Sequence, residues 1–158
     1  VRYAFLDSLF WEHTQLPTGT FSVGRFKDLI QERDIEGMLQ HINTLLETIP
    51  YDSLKQNKIP LREYNIQTTI YLIFALMGQE VRCEVHSLHG RSDVEVETAD
   101  GIYIFEFKMQ GEASDALAQI EEKGYAKKYS RHAKPITLIG VSVTEDAKML
   151  KEWVIVEK

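Results

Sequence analysis

Two carboxylates and a lysine lie on either side of one short turn in this sequence. Asp93 begins an apolar-rich segment, and Glu106 and Lys108 end the next one, with Asp100-Gly101 between the two segments. Side chains alternate faces along a strand, so Glu106 and Lys108 project from the same face of the second strand. Clustered carboxylates repel each other when ionised and suit a hard cation such as Mg2+. The pattern predicts a hairpin that gathers these three side chains at a divalent-metal site.

The length of the turn decides how the two carboxylates face each other. A two-residue loop, Ala99 and Asp100, sets Asp93 directly opposite Glu106, with Cβ atoms roughly 5 Å apart. A three-residue loop that ends at Gly101 shifts this register by one residue, although a bulge could still aim both carboxylates together. The sequence is consistent with either loop.

The alternative interpretation of these charges is a salt-bridged hairpin on the protein surface. The segment that carries them argues against it, because it is apolar on both faces through Ile102, Ile104, Phe105 and Phe107. Continuous apolar character is typical of a buried central strand. Acidic and basic groups at the end of such a strand favour a functional site.

The motifs around this hairpin resemble those of the PD-(D/E)XK nuclease superfamily. In chain order they are GRSD at 90–93, IFEFK at 104–108, and a helix that carries Gln119-Ile120 followed by KGYA at 123–126. More narrowly, the pattern resembles a bacterial family in which such a domain follows an AAA-ATPase-like domain. The motif named PD-(D/E)XK has a proline before its first aspartate, whereas this sequence has Ser92 before Asp93. That position is variable in the superfamily.

The resemblance implies an α/β fold with a restriction-endonuclease-like core, αβββαβ, in which helices flank a mixed central sheet. It implies that residues 51–158 form the nuclease-like domain. Residues 1–50 would then be a helical extension and linker from an upstream ATPase-like part. An AAA-ATPase-like domain of the same polypeptide is therefore an expected partner.

Apolar periodicity predicts the elements of this fold. Helices are expected over 1–14, 22–30 and 35–48, the last two paired and covering the sheet, and a buried helix over 61–78 that ends at Gly78. Strands are expected over 81–87, with Cys83 on the apolar side, over 136–143, and over 153–156 at an edge. Between them, Ser114 is expected to cap a helix that runs to about Tyr129 or Arg131.

The resemblance also implies roles for single residues. Asp93, Glu106 and the backbone carbonyl of Phe107 would hold Mg2+ or Mn2+, and Glu63 on the first core helix would add a carboxylate near the metal. Gln119 would face the site and orient water or phosphate. Each of the last two has a structural alternative: Glu63 as a first-turn glutamate favoured by the helix dipole, and Gln119 as an exposed helical glutamine.

A basic segment follows the hairpin. Five basic residues and no acidic one lie between positions 123 and 134, which leaves 13 basic and 24 acidic residues elsewhere. Basic side chains mixed with aromatic ones are typical of nucleic-acid contacts. The alternative is a solvated helix end, where cations favour the negative pole of the helix dipole. The predicted nucleic-acid-binding residues are Arg91, Lys123, Tyr125, Lys127, Lys128 and Arg131.

Length and composition indicate one globular domain with a core of its own. The net charge of −6 over 158 residues argues against a simple nucleic-acid-coating protein. The longest apolar run, 70–77, is too short to span a membrane, and no signal-peptide pattern is present. The single cysteine, Cys83, excludes an internal disulfide framework and agrees with a cytoplasmic protein.

These observations predict a metal-dependent phosphodiesterase that acts on DNA, with Lys108 as the residue that orients water or stabilises negative charge. The alternative is a catalytically silent nuclease-fold module that binds nucleic acid or protein and regulates an attached ATPase-like domain. RNA or a small nucleotide also remains open as the substrate. The sequence specifies neither the cleavage specificity nor the oligomeric state.

Overall fold

The computed structural model describes residues 21–48, 63–87, 90–146 and 148–158. The chain divides into two compact units, Val1–Pro60 and Leu61–Lys158. The predicted domain boundary after residue 50 and the division after Pro60 both fall within 49–62, which lies outside the described residues. The predicted helix over 1–14 also lies outside them.

The first unit contains a pair of helices, α1 (Val23–Glu32) and α2 (Ile35–Leu46), as predicted. Each begins at a side-chain cap that satisfies a backbone amide of the first turn. Ser22 Oγ accepts from the amide of Arg25 at 3.2 Å, and Asp34 Oδ1 accepts from Gly37 at 2.9 Å. The predicted packing of these helices on the sheet stays a prediction.

The second unit is a mixed sheet with helices. Its elements are α3 (Glu63–Leu76), β1 (Glu80–Ser87), β2 (Gly90–Glu97), β3 (Ile102–Lys108), α4 (Ala113–Lys123), a 3₁₀ helix (Tyr125–Tyr129), β4 (Ile136–Val143) and β5 (Leu150–Glu157). The five strands lie in the order β1-β2-β3-β4-β5, and the β3–β4 pair alone among them is parallel. This confirms the predicted αβββαβ core and the edge position of the last strand. In the described part of the chain, no helix is long and apolar enough to cross a membrane.

The two faces of the sheet pack against different helices, and the candidate site lies on one of them. Phe105 and Phe107 project from one face of β3, where Phe105 lies 6.3 Å from Phe74 of α3, measured between ring centroids. Ile102 and Ile104 project from the other face and pack in the core beneath α4. Glu106 and Lys108 continue this second row, so the face that α4 covers carries them.

The hairpin adopts the shorter of the two loops considered. β2 and β3 pair from Val94 opposite Phe105 to Glu97 opposite Ile102, and the amide of Thr98 donates to the carbonyl of Gly101 at 2.9 Å. Ala99 and Asp100 are therefore the two loop residues. Continuing the same register by one residue sets Asp93 opposite Glu106.

Helix α4 differs from the prediction at both ends. Its N-cap is Glu112 rather than Ser114, and Asp115 Oδ2 accepts from the Glu112 amide at 2.9 Å, which completes a capping box. The helix ends at Lys123 because Gly124 adopts a left-handed conformation, with φ 62°. Residues 125–129 then form a 3₁₀ helix that turns Tyr125 and Tyr129 into the core.

The predicted burial of Cys83 is wrong. Cys83 lies on β1, and its side chain is exposed. The reason is that β1 is an edge strand, and an edge strand with alternating residues does not have to bury its apolar row.

Helix α4 lies very close to β4 at Gly140. A Cβ atom at this position would lie 2.3 Å from the carbonyl oxygen of Ala113 and 2.5 Å from the amide nitrogen of Leu117. Both are backbone atoms of α4, which cannot move aside as the end of a flexible side chain can. The absence of a side chain at Gly140 therefore sets the distance between the helix and the sheet.

Substituting Gly140→Ala is expected to lower the free energy of unfolding by at least about 2 kcal/mol, because the new methyl group overpacks this contact. Gly101→Ala is the matched control, since a Cβ there would meet nothing closer than the Tyr103 hydroxyl at 3.3 Å. Urea unfolding of both variants measures the difference. Equal losses in the two variants would contradict the close approach of α4.

Candidate active site

The hairpin brings the two predicted acids together at one end of the sheet. Asp93 is half-buried on β2, and its Oδ2 atom accepts from the backbone amide of Phe107 at 2.9 Å. Glu106 is buried on β3, with 3% of its surface exposed. The aspartate is therefore anchored to the neighbouring strand at the residue that follows Glu106.

Gln119 joins the acid to the lysine. Its side-chain amide donates to Glu106 Oε1, and its carbonyl oxygen accepts from Lys108 Nζ. One half-buried side chain of α4 thus bridges two residues of β3. The alternative of an exposed helical glutamine is wrong, because both polar atoms of Gln119 are used inside the cluster.

The environment of Glu106 disfavours its charge. Burial, followed by the nearby charge of Asp93, raises the pKa of Glu106 from its ordinary 4.5 to about 8, against the opposing effect of Lys108 and of hydrogen bonds. Its Oε2 atom is buried and has no hydrogen-bond partner among the described residues. The charge of Lys108 therefore does not offset the burial of Glu106 and the charge of Asp93.

These donors fit a divalent cation. Glu106 Oε2 is a buried, unpartnered oxygen, and the Asp93 carboxylate lies beside it on the neighbouring strand. The main chain of Phe107 lies beside Asp93, because its amide donates to Asp93 Oδ2. The described residues contain no cluster of three or more His, Cys, Asp or Glu side chains suited to a metal. Two carboxylates with a main-chain oxygen match Mg2+, which leaves other positions to water and phosphate.

Two further predicted site residues have side chains outside the described part of the chain. Glu63 is the first residue of α3, and Arg91 lies on β2 opposite His86. Their predicted roles, near the metal for Glu63 and at the nucleic acid for Arg91, stay predictions.

Part of the basic segment folds back onto the sheet. Lys128 Nζ lies 2.7 Å from Glu95 Oε1, and the Tyr129 hydroxyl donates to Glu95 Oε2 at 2.6 Å. Glu95 is 2% exposed. Burial, together with the Glu95 contact, raises the pKa of Tyr129 and keeps it protonated as a donor. Lys128 therefore neutralises a buried acid, and its predicted use as a phosphate contact stays a prediction.

Tyr125 also differs from its predicted role. It is 2% exposed and packs with Ile102, Ile104 and Ile120 in the core under α4. A side chain buried in this way contacts no nucleic acid, so this prediction is wrong. The left-handed Gly124 causes the change, because it turns the chain inward at this point. The predicted binding residues that do lie on the surface are Lys123, Lys127, Lys128 and Arg131, of which Lys128 is ion-paired with Glu95.

Three residues around the site were not predicted from the sequence: Glu95 and Glu97, which pair with lysines of the basic segment, and Gly140, against which α4 packs. Glu97 accepts from Lys134 Nζ at 2.7 Å, and this contact lowers its pKa. The alternation of acidic residues and valines over 93–97 could have predicted that both glutamates lie on the same face of the strand as Asp93. For Gly140 there was no such signal, since a close helix approach leaves no local pattern.

Comparison with known proteins agrees with this fold. The PD-(D/E)XK nuclease superfamily matches residues 61–153 of the chain, a range that contains the hairpin, Gln119, the first four strands and the start of β5. The chain belongs to the PD-(D/E)XK nuclease superfamily.

A protein of Azotobacter chroococcum mcd 1, described as an uncharacterized protein in the vnfD 5' region, is similar to this chain. The two are 34% identical over 134 residues, which cover 84% of this chain and 26% of that protein. The chain thus spans about a quarter of the length of this curated relative. No solved structure matches the chain.

The Lys128–Glu95 pair gives a stability prediction. Lys128→Ala is expected to lower the free energy of unfolding by about 2 kcal/mol, because it leaves a buried carboxylate without its cation. Lys127→Ala is the matched control, because Lys127 is exposed in the same 3₁₀ helix. It should change the free energy of unfolding by less than about 0.5 kcal/mol. Thermal or urea unfolding of both variants measures the difference. An unfolding free energy of Lys128→Ala equal to that of the original protein would show that the Lys128–Glu95 pair does not stabilise the fold.

The raised pKa of Glu106 gives a pH prediction for the protein in EDTA. Between pH 4.5 and about 8, the folded protein retains a proton at Glu106 that the unfolded chain has lost, so stability falls as the pH rises. Glu106→Gln removes this contribution. Urea unfolding at several pH values should therefore show a smaller decline across this window in the variant than in the original protein. Identical slopes in both would exclude a raised pKa at Glu106.

Proposed function

We propose that this domain is a metal-dependent nuclease that hydrolyses phosphodiester bonds in DNA. The observation that carries the proposal is the convergence of Asp93, Glu106 and Lys108 at one end of the sheet, with Gln119 hydrogen-bonded to the last two. Membership of a nuclease superfamily supports it. So does the buried Glu106 oxygen that lacks a partner.

Each residue of the cluster has a separate role in this proposal. Asp93, Glu106 and the Phe107 carbonyl would hold Mg2+ or Mn2+, and the ion would supply Lewis-acid chemistry at the phosphate and its attacking water. Lys108 orients the attacking water or stabilises the negative charge that develops on the phosphate. Gln119, which contacts both Glu106 and Lys108, keeps the two side chains aligned and contacts water or phosphate.

DNA is the proposed substrate, held through its backbone. Lys123, Lys127 and Arg131 are exposed at the end of α4 and in the 3₁₀ region that follows it. Cations of this kind contact phosphates without reading the base sequence. Because Lys128 and Lys134 are paired with Glu95 and Glu97, the proposed contact surface is smaller than the whole basic segment.

A second candidate function is a nuclease-fold module without catalysis that regulates an AAA-ATPase-like domain of the same polypeptide. The net charge of −6 favours it, and so does the internal pairing of two lysines of the basic segment. The match covers 26% of the relative from Azotobacter chroococcum, a length that leaves room for another domain beside this one. Such a module has no need for a divalent-metal site, so titration calorimetry with Mg2+ separates the two functions.

The test is cleavage of supercoiled and linear DNA with Mg2+ or Mn2+. Asp93→Asn and Lys108→Met are each expected to reduce the rate at least about a hundredfold, since each removes a group that stabilises the transition state. Asp100→Asn is the matched control, because Asp100 is exposed in the loop at the other end of the same hairpin and should leave the rate unchanged. Circular dichroism checks that every variant folds.

Three outcomes would contradict the proposal. Cleavage that persists in EDTA would exclude a metal-dependent reaction, and equal activity in the Asp93→Asn and Asp100→Asn variants would exclude the site. No cleavage and no binding of Mg2+ or Mn2+ would favour the regulatory module. A nuclease that grips phosphates should also lose activity steeply with added salt.

A further inference from the structure

Two hydroxyl groups of β4 are buried without a hydrogen-bond partner among the described residues. Ser142 is 1% exposed and Thr137 is 0% exposed, and neither Ser142 Oγ nor Thr137 Oγ1 is hydrogen-bonded. An unpartnered buried hydroxyl lowers stability. Because the two residues are five positions apart on one strand, their side chains lie on opposite faces of the sheet.

Ser142 lies on the face of the active-site cluster. In the parallel β3–β4 pair, Gly140 lies beside Glu106 and Ser142 lies beside Lys108. On the other side, Ser142 is paired with Glu152 of β5. Neighbouring strands are about 4.8 Å apart, so these side chains are direct neighbours across the sheet. Thr137, by contrast, pairs with Tyr103, whose side chain lies on the opposite face.

The surroundings of Ser142 point to Lys108 as its partner. Glu152 Oε1 accepts from the backbone amide of Ala113 at the start of α4, at 3.2 Å, so one oxygen of this carboxylate is already engaged. Lys108 Nζ donates to Gln119, and an ammonium group has three donors on a flexible stem. A hydroxyl oxygen on the adjacent strand can accept a second of them.

We propose that Ser142 is a positioning residue, whose hydroxyl accepts a hydrogen bond from the Lys108 ammonium when DNA occupies the site. This inference depends on the proposed nuclease function. Gln119 and Ser142 each accept one donor of the ammonium group and together hold it in place beside the reacting phosphate. The buried hydroxyl then has its partner in the substrate-bound protein.

The test compares Ser142→Ala with Thr137→Val. Each variant removes one buried, unpartnered hydroxyl from the same strand, but only Ser142 faces the cluster. Neither variant should unfold at a lower urea concentration, because no hydrogen bond is lost. In DNA cleavage with Mn2+, Ser142→Ala is expected to lower kcat about tenfold with KM unchanged, the effect of a positioning contact made in the transition state. Thr137→Val should keep both constants.

A second measurement does not require cleavage. With 15N-labelled lysine and a DNA duplex present in EDTA, NMR should detect the Lys108 ammonium protons exchanging slowly in the original protein and in Thr137→Val. In Ser142→Ala this protection should be lost, and Lys108→Arg identifies the signal. An inactive original protein would refute the proposed nuclease function, whereas the NMR comparison would still decide on Ser142.

Two results would overturn the role of Ser142. Equal losses of kcat in Ser142→Ala and Thr137→Val would show that any hydroxyl of β4 has the same structural effect. Exchange of the Lys108 ammonium that is the same with and without the Ser142 hydroxyl would show that the two groups do not meet.

Discussion

The contact between α4 and β4 at Gly140 is the constraint on which the candidate site depends. Two backbone atoms of the helix lie where a side chain at Gly140 would have to be, so the helix packs directly on the sheet beside Glu106. Because Gln119 follows this contact on the same helix, its side chain reaches both Glu106 and Lys108. Glu152 fixes the start of the helix from β5. Three strands thus determine the position of one amide, and preorganisation of this kind is what a catalytic cluster requires.

The acidic side chains of β2 lie on the face of the sheet that α4 covers. β2 presents Asp93, Glu95 and Glu97 to this face, and the last two are paired with Lys128 and Lys134. The chain therefore neutralises two acids of its own sheet with cations of the basic segment 123–134, and one of these cations, Lys128, was predicted to contact nucleic acid. At Asp93 the carboxylate accepts from a backbone amide of β3 instead. The acidic row thus has two ion-paired members in the fold and one member at the candidate metal site.

The resemblance of the motifs predicted the fold and the order of its elements along the chain. The sequence itself predicted the placement of the acids on one hairpin, because alternation and a two-residue loop are local properties of the chain. It also left the correct register among its alternatives. The exposure of Cys83 and the fates of Tyr125 and Lys128 could not be predicted in this way. Each depends on tertiary context: the edge position of β1, the left-handed conformation of Gly124, and a buried acid on another strand. A segment such as 125–134, without helical or strand period, gives no indication of which side chains turn inward.

Glu106 distinguishes the two functions on physical grounds. A buried carboxyl with a raised pKa and an unpartnered oxygen lowers the stability of the folded chain at neutral pH. A module that only bound a partner through its outer surface would be more stable with an apolar side chain here, since apolar replacements of buried charged groups are often neutral or stabilising. A divalent cation reverses this balance, because it favours the ionised carboxylate and supplies the partner for the unpaired oxygen. The buried Glu106 therefore supports the proposed metal-dependent function over the regulatory module.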